Sequence, residues 1–120
     1  MPLRGEVYFP TGALPPSSPV KHRIILLSSN SVASSSGSSV HLSVAIIISA
    51  INVRGAVRRY PLHSILVGPG DLSCLAVDSI VETHQLFSIP YGEVAKLKIL
   101  GRLTGSKLEE VLAGARKLFS

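Results

Sequence analysis

The feature that most constrains the fold is the run VAIII at residues 44–48, in which five apolar residues follow one another without a polar residue. A short run rich in β-branched side chains is typical of a strand that is buried on both faces. Several polar and basic residues follow it: Ser49, Asn52, Arg54, Arg58 and Arg59. The segment 41–60 is therefore predicted to contain a central strand that leads into a basic segment. That segment is either a solvated turn or a surface that meets a polyanion.

Length and composition favour one globular domain over residues 1–120. The chain is 46% apolar and 16% charged, which suits a compact protein with a filled interior. Its formal net charge of +5 favours acidic or phosphate-rich partners, although solubility alone would also explain it. The single cysteine, Cys74, lies in an apolar segment and is expected to be a buried thiol in a reducing compartment.

The N-terminal residues lack the pattern of a signal peptide, and the run at 44–48 is far shorter than the roughly 20 residues of a membrane span. We therefore expect a cytoplasmic protein without a membrane partner.

Six short strands are predicted, over residues 5–9, 22–28, 44–48, 60–67, 73–83 and 95–103. In the first, alternation would place Val7 and Phe9 on one face and Glu6 and Tyr8 on the other. The proline-rich segment 10–21 and the serine-rich segment 28–39 are expected to be flexible loops. Residues 84–91 are expected to form an irregular connection.

A C-terminal helix is predicted after these strands. Ser106 would cap it, and Glu109 would complete a capping box. One face would carry Leu108, Val111, Leu112, Ala115 and either Leu118 or Phe119. Short strands followed by one helix predict a mainly β (α+β) fold, a small antiparallel barrel or curved sheet closed by the helix.

Common cofactor and metal signatures are absent. The sequence has no phosphate-binding loop, no dinucleotide-binding glycine motif, no HExxH and no cysteine cluster, and its acidic residues are few and scattered. We therefore expect no cofactor and no metal site. Any catalysis would then be metal-free.

Metal-free RNA cleavage needs a base for the ribose 2′-OH, an acid for the leaving oxygen and cations for the charged phosphorane. Residues of these types lie at predicted strand ends: Lys21, His22, Arg23, Ser49, Asn52, Arg54, Arg58, Arg59 and His63. If the second and third strands pair as a hairpin, 21–23 approach 49–54. The alternative is that strand ends are basic because they are exposed, and that His63 is structural. Asp78, which interrupts an apolar pattern, is interpreted as structural rather than as part of a site.

The order of motifs resembles the MazF/PemK/Kid toxins of bacterial toxin-antitoxin systems over nearly the whole chain. The matching segments are RGEV at 4–7, the loop after Pro10, the strand at 24–28 with Asn30, the strand at 45–49, the segment with Asp78 at 75–80, and GRLT at 101–104 before the helix. The sequence departs from the family at three places. His22 and Arg23 replace an arginine–proline pair, Ile48 and Ser49 replace a threonine–serine pair, and Val81 replaces an arginine.

The resemblance implies an SH3-like barrel that acts as the toxin of a type II system, a metal-independent endoribonuclease of single-stranded RNA. It also implies a homodimer and an acidic antitoxin that occupies the RNA groove. On this reading His22 is an acid or base, Arg23 and Lys21 hold the phosphate, and Ser49 hydrogen-bonds it. Arg54, Arg58 and Arg59 would track the RNA backbone, with Asn52 and His63 on the same surface.

Two alternatives stay open at this point. One is a catalytically silent relative that binds RNA or an antitoxin-like peptide, an alternative that the departures from the family motivate. A gyrase-poisoning relative of the same fold is the other alternative, and the absence of a closing aromatic C-terminus speaks against it.

Overall fold

The computed structural model describes residues 3–9, 23–30, 41–49 and 63–118. These residues contain six strands and two helices: β1 Glu6–Tyr8, β2 Arg23–Leu26, β3 His41–Ser49, β4 Ser64–Val67, β5 Ser79–Pro90, α1 Tyr91–Ala95, β6 Ile99–Arg102 and α2 Gly105–Arg116. The predicted loop over 10–21, and all but the first three residues of the loop over 28–39, lie outside the described residues.

The six strands form one antiparallel sheet in the order β4-β5-β3-β2-β1-β6. The sheet curls into a half-barrel with α2 as the C-terminal helix, which confirms the predicted fold class. The run at 44–48 lies inside β3, which has β2 on one side and β5 on the other. It is therefore the central strand that its composition predicts.

One face of the sheet packs against α2. The side chains of this first core come from alternate positions of the strands, from the 68–75 turn and from α2: Val7, Ile25, Leu27, Ala45, Ile47, Val67, Leu72, Leu75, Val81, Leu103, Val111, Leu112 and Ala115. The predicted apolar stripe of the helix is confirmed at Val111, Leu112 and Ala115, with Leu108 packed against its edge.

The opposite face carries a second core that α1 covers. Its buried members are Tyr8, Ile24, Leu26, Leu42, Val44, Ile89 and Val94. The Tyr8 hydroxyl donates a hydrogen bond of 3.1 Å to Glu6 Oε1, and the Leu3 N–H donates to the same oxygen. Burial, followed by the Glu6 charge, raises the pKa of Tyr8. β1 is thus covered on both faces, because Glu6, Val7 and Tyr8 are all buried.

The predicted strand over 73–83 is wrong in its first half. Residues before Ser79 form hydrogen-bonded turns, in which the N–H groups of Asp71 and Leu72 both donate to the Gly68 carbonyl. Leu72 and Leu75 reach the first core from these turns, which explains why the segment has a strand-like apolar pattern. β5 extends beyond the predicted end of the strand to Pro90, which still pairs with His41 of β3.

Two other predicted boundaries also need correction. Residues 84–90 belong to β5 rather than to an irregular connection, and the sixth strand begins only at Ile99 because residues 91–95 form α1. The helix follows Pro90 and buries Val94 in the second core. Lys96 and Lys98 therefore precede the strand.

The predicted capping box of α2 is absent. The helix begins at Gly105 with Thr104 as its N-cap, and no side chain makes a capping hydrogen bond. Gly105 has a φ of 68°, so the chain enters the helix through a backbone conformation that glycine adopts without strain. Among the described residues, no helix is long and apolar enough to cross a membrane.

Candidate functional site

Four strand termini meet at one end of the sheet. Ser49, the last residue of β3, pairs with Ser79, the first residue of β5, and Ser79 also pairs with Val67 at the end of β4. Arg23, the first residue of β2, pairs with Ile47. The hairpin pairing predicted for the second and third strands is thus present, and it brings Arg23 to the end of the sheet where β3 finishes. We call this region, defined by Arg23, Ser49 and Ser79, the strand-end site.

Arg23 and Ser49 are diagonal neighbours across the β2–β3 pair. Ser49 lies two residues beyond Ile47, the direct partner of Arg23. Diagonal positions in an antiparallel pair are about 7–8 Å apart, a separation that a long side chain can bridge. A phosphate bound by the Arg23 guanidinium would therefore lie near the backbone of position 49.

The Arg23 side chain has a different environment from that of Arg4, the structural arginine that precedes β1. Arg4 Nε donates to the carbonyl oxygens of Leu27 at 3.0 Å and Ser28 at 3.3 Å, so this side chain holds the N-terminal segment to the end of β2. Arg23 is half-buried, and its buried Nε has no hydrogen-bond partner among the described residues. A buried donor without a partner costs free energy, which an anion at the site would recover.

Ser79 belongs to the strand-end site through its backbone pairing with position 49. Ser79 is buried, and its hydroxyl donates a hydrogen bond of 3.1 Å to the Val77 carbonyl. Position 49 is fixed by its backbone pairing with Ser79. Of the two, Ser49 stays the residue predicted to hydrogen-bond a phosphate.

A carboxylate also lies at this end of the sheet. Asp78 is exposed and directly precedes Ser79. Its Oδ1 lies so close to Gly68 that a Cβ on that glycine would be 2.8 Å away. The sequence pattern indicates a structural role for Asp78. Because the next residue, Ser79, pairs with Ser49, the backbone of Asp78 adjoins the strand-end site, and its carboxylate lies next to Gly68.

His63 lies at the other end of β4. Ser64, the first residue of β4, pairs with Glu82, whereas Val67 pairs with Ser79. Three residues of strand span about 10 Å, so the structure does not bring His63 together with Arg23 and Ser49. Its Nδ1 is 2.8 Å from the Gly114 carbonyl oxygen in α2, which leaves only Nε2 for contact with RNA.

The remaining predicted site residues lie outside the described residues: Lys21, His22, Asn52, Arg54, Arg58 and Arg59. Their roles stay predictions. Two of them adjoin the strand-end site in sequence, since Lys21 and His22 directly precede Arg23.

The position at which the MazF/PemK/Kid toxins carry an arginine is occupied here by a valine inside the core. Val81 is 0% exposed, pairs with Ile47 and belongs to the core beneath α2. This position can therefore supply no charge to a ligand. Any replacement for that arginine has to come from another part of the chain.

No group of three or more His, Cys, Asp or Glu side chains that could hold a metal ion occurs in the parts of the chain that the structure describes. The chemistry available at the strand-end site is that of a guanidinium, hydroxyls and an exposed carboxylate.

The fold is similar to two solved structures. One is an endoribonuclease from a mycobacterial species, with 16% identity and a TM-score of 0.65 over 98% of this chain and 90% of that chain. The other is a mycobacterial endoribonuclease in complex with its cognate antitoxin, with 17% identity and a TM-score of 0.68 over 99% of this chain and 95% of that chain. No family model matches the chain, and no curated protein matches it. At these identities, the likeness establishes that this chain shares the endoribonucleases' fold.

Proposed function

We propose that this protein is the toxin of a type II toxin-antitoxin system, a MazF/PemK-like endoribonuclease that cleaves single-stranded RNA without a metal ion. The observation that carries the proposal is the position of Arg23. Its buried Nε lacks a partner among the described residues, and its backbone position is diagonal to that of Ser49 at one end of the sheet. The similarity in fold to two endoribonucleases supports the same conclusion.

The proposed reaction is attack of a ribose 2′-oxygen on the adjacent phosphorus. A base takes the 2′-OH proton, the P–O5′ bond breaks, and an acid gives a proton to the departing 5′-oxygen. Arg23 would stabilise the phosphorane, whose negative charge grows during this step, and Ser49 would hydrogen-bond one of its oxygens. His22 is the proposed acid or base, and the exposed Asp78 is a second candidate for the base.

Further contacts to the RNA backbone are proposed for Lys21, Asn52, Arg54, Arg58, Arg59 and His63. The net charge of +5 supports binding to a polyanion. The same net charge equally supports an acidic antitoxin as the inhibitor, since such a chain would compete with RNA for the same basic side chains. The mycobacterial neighbour is bound to its cognate antitoxin, and we propose a corresponding partner here, together with a homodimer in the cytoplasm.

The test is incubation of the purified protein with long single-stranded RNA in EDTA. We expect fragments with 2′,3′-cyclic phosphate and 5′-hydroxyl ends, and we expect a single 2′-deoxy substitution at a cut site to prevent cleavage there. Expression of the protein should arrest growth, and co-expression of a short acidic protein encoded by a neighbouring reading frame should restore it. Intact RNA over a wide range of sequences would contradict the proposal.

The second candidate is a catalytically silent module that binds RNA or an antitoxin peptide. The buried Val81 favours it, because the position of the family's arginine carries no charge. RNA that is bound but stays intact in the same incubation would select this alternative.

A further inference from the structure

Phe9 is an aromatic side chain that the fold leaves on the surface. Alternation within the first strand predicts it on the same face as Val7. The structure buries Val7 completely, whereas Phe9 is 42% exposed and lies directly after β1, which ends at Tyr8. Of the other aromatic side chains in the described residues, Tyr8 is buried and Phe87 and Tyr91 are partly buried, so Phe9 is the exposed ring of this part of the chain.

The register of β1 and β2 places Phe9 beside the strand-end site. Val7 pairs with Ile25 and Tyr8 pairs with Ile24. Continued by one residue, this register puts Phe9 opposite Arg23. Since Arg23 in turn pairs with Ile47 of β3, Phe9, Arg23 and Ser49 follow one another along the same end of the sheet.

An exposed ring beside a guanidinium matches the chemistry of a single RNA strand. Proteins bind unpaired nucleotides by stacking the bases on aromatic side chains while cations hold the phosphates. Neighbouring strands are about 4.8 Å apart, a distance that one nucleotide can bridge between its phosphate and its base. A double-stranded RNA could not use such a site, because its bases are stacked on one another.

We propose that Phe9 is the platform on which one unpaired nucleobase stacks while Arg23 holds the phosphate next to it. This inference rests on the proposed function and adds a binding residue to those proposed there. Every base has a π-face, so the platform supplies affinity and fixes the position of the strand at Arg23. The choice of RNA sequence then depends on other residues.

The experiment uses the Phe9→Trp variant, whose tryptophan is the only one in the chain. The probe is a single-stranded 2′-O-methyl oligonucleotide of about 12 nucleotides, in which the methyl group removes the attacking hydroxyl. We expect stacking to quench the tryptophan fluorescence as the oligonucleotide is added. An abasic residue is then moved through the oligonucleotide, and the quenching should disappear at one position.

The control tryptophan is Glu93→Trp. Glu93 is exposed in α1, which begins directly after Pro90, and Pro90 pairs with His41 at the opposite end of β3 from Ser49. It should report no quenching. Loss of the ring in Phe9→Ala or Phe9→Leu should weaken binding by about 5- to 100-fold. Combining Phe9→Ala with the critical abasic residue should cost no more than either change alone.

The outcomes separate this inference from the proposed function. If the wild-type protein binds no single-stranded oligonucleotide, the proposed function fails and the platform fails with it. If the wild type binds but Phe9→Ala binds equally well, or Phe9→Trp is not quenched, only the platform is overturned.

Ile99 pairs with Tyr8 and is 51% exposed, so apolar surface continues next to Phe9. A Phe9→Ala variant that changes the sedimentation of the protein but not its RNA affinity would instead assign Phe9 to a contact between copies and overturn the platform.

Discussion

His63 Nδ1 lies 2.8 Å from the Gly114 carbonyl oxygen, and this hydrogen bond joins the residue before β4 to the last turn of α2. Because the acceptor is a carbonyl, Nδ1 must carry the proton. The carbonyl oxygen of His63 also accepts hydrogen bonds from both the N–H and the hydroxyl of Thr83, each at 2.8 Å. The chain that returns from the basic segment is therefore fixed to β5 and to α2 at the same residue.

Replacing His63 by alanine should lower the free energy of unfolding by about 1–3 kcal/mol, since the Gly114 carbonyl would lose its donor in a partly buried site. His63→Asn is the matched control. Its side-chain amide can place an N–H close to the position of Nδ1 and should recover most of the loss. Denaturant unfolding of the three proteins checks this, and equal losses in both variants would show that the hydrogen bond is unimportant.

Gly114 has no room for a side chain. A Cβ at this position would lie 2.6 Å from Thr83 Oγ1 and 3.4 Å from Ile65 Cδ1, and Thr83 is fully buried. Gly114→Ala should therefore destabilise the protein by about 1–3 kcal/mol despite the higher helix propensity of alanine. Adding Thr83→Ala removes the clash, so the double variant should be more stable than the sum of the single effects predicts. Strict additivity in thermal unfolding would contradict this contact.

Gly5 allows β1 to approach the end of β6. Its φ is 89°, and a Cβ there would lie 2.3 Å from the Leu103 carbonyl oxygen. The Leu103 N–H donates to the Gly5 carbonyl at 2.8 Å, so the two backbones cannot separate without losing this bond. We expect Gly5→Ala to cost about 2 kcal/mol or more. Gly92→Ala, where no atom lies within 4 Å of the added Cβ, is the control and should leave the midpoint of thermal unfolding unchanged or raised.

Tyr8 gives the protein a specific sensitivity to alkaline pH. Burial raises the pKa of Tyr8 above the ordinary tyrosine value of about 10. As the pH rises, this tyrosine therefore loses its proton in the unfolded chain before it does so in the folded protein. The contribution of Tyr8 to the free energy of unfolding is complete below about pH 10 and declines above it. Tyr8→Phe should be less stable by about 1 kcal/mol at pH 7, because the hydrogen bond to Glu6 is lost. This difference should shrink in urea titrations between pH 10 and 11.5, and a constant difference would contradict the assignment.

The sequence predicts the centre of the fold and one side of the site. The uninterrupted run in β3 indicates a central strand, and pairing it with the preceding strand brings Arg23 to Ser49. Antiparallel pairing of consecutive strands is local, so it can be inferred from the order of the strands.

Other parts depend on contacts between distant segments. Leu72 and Leu75 have a strand-like pattern but fill the first core from turns, and α1 forms where Val94 meets the second core. β1 ends at Tyr8, one residue before the predicted end of the strand, and Phe9 beyond it is exposed. The Gly114–Thr83 contact joins residues that are 31 positions apart in the sequence, and no local pattern could indicate it.

The most direct measurement of the central claim is the rate of RNA cleavage in EDTA by the wild type, Arg23→Ala and Arg23→Lys. Arg102→Ala is the charge-matched control, because Arg102 is exposed and donates to the Arg4 carbonyl oxygen rather than lying at the strand-end site. We expect cleavage by the wild type and by Arg102→Ala, a rate at least about 100-fold lower for Arg23→Ala, and an intermediate rate for Arg23→Lys, which keeps the charge but not the planar fork. Thermal unfolding confirms that each variant is folded. An Arg23→Ala protein that is folded and cleaves RNA as fast as the wild type would contradict the account.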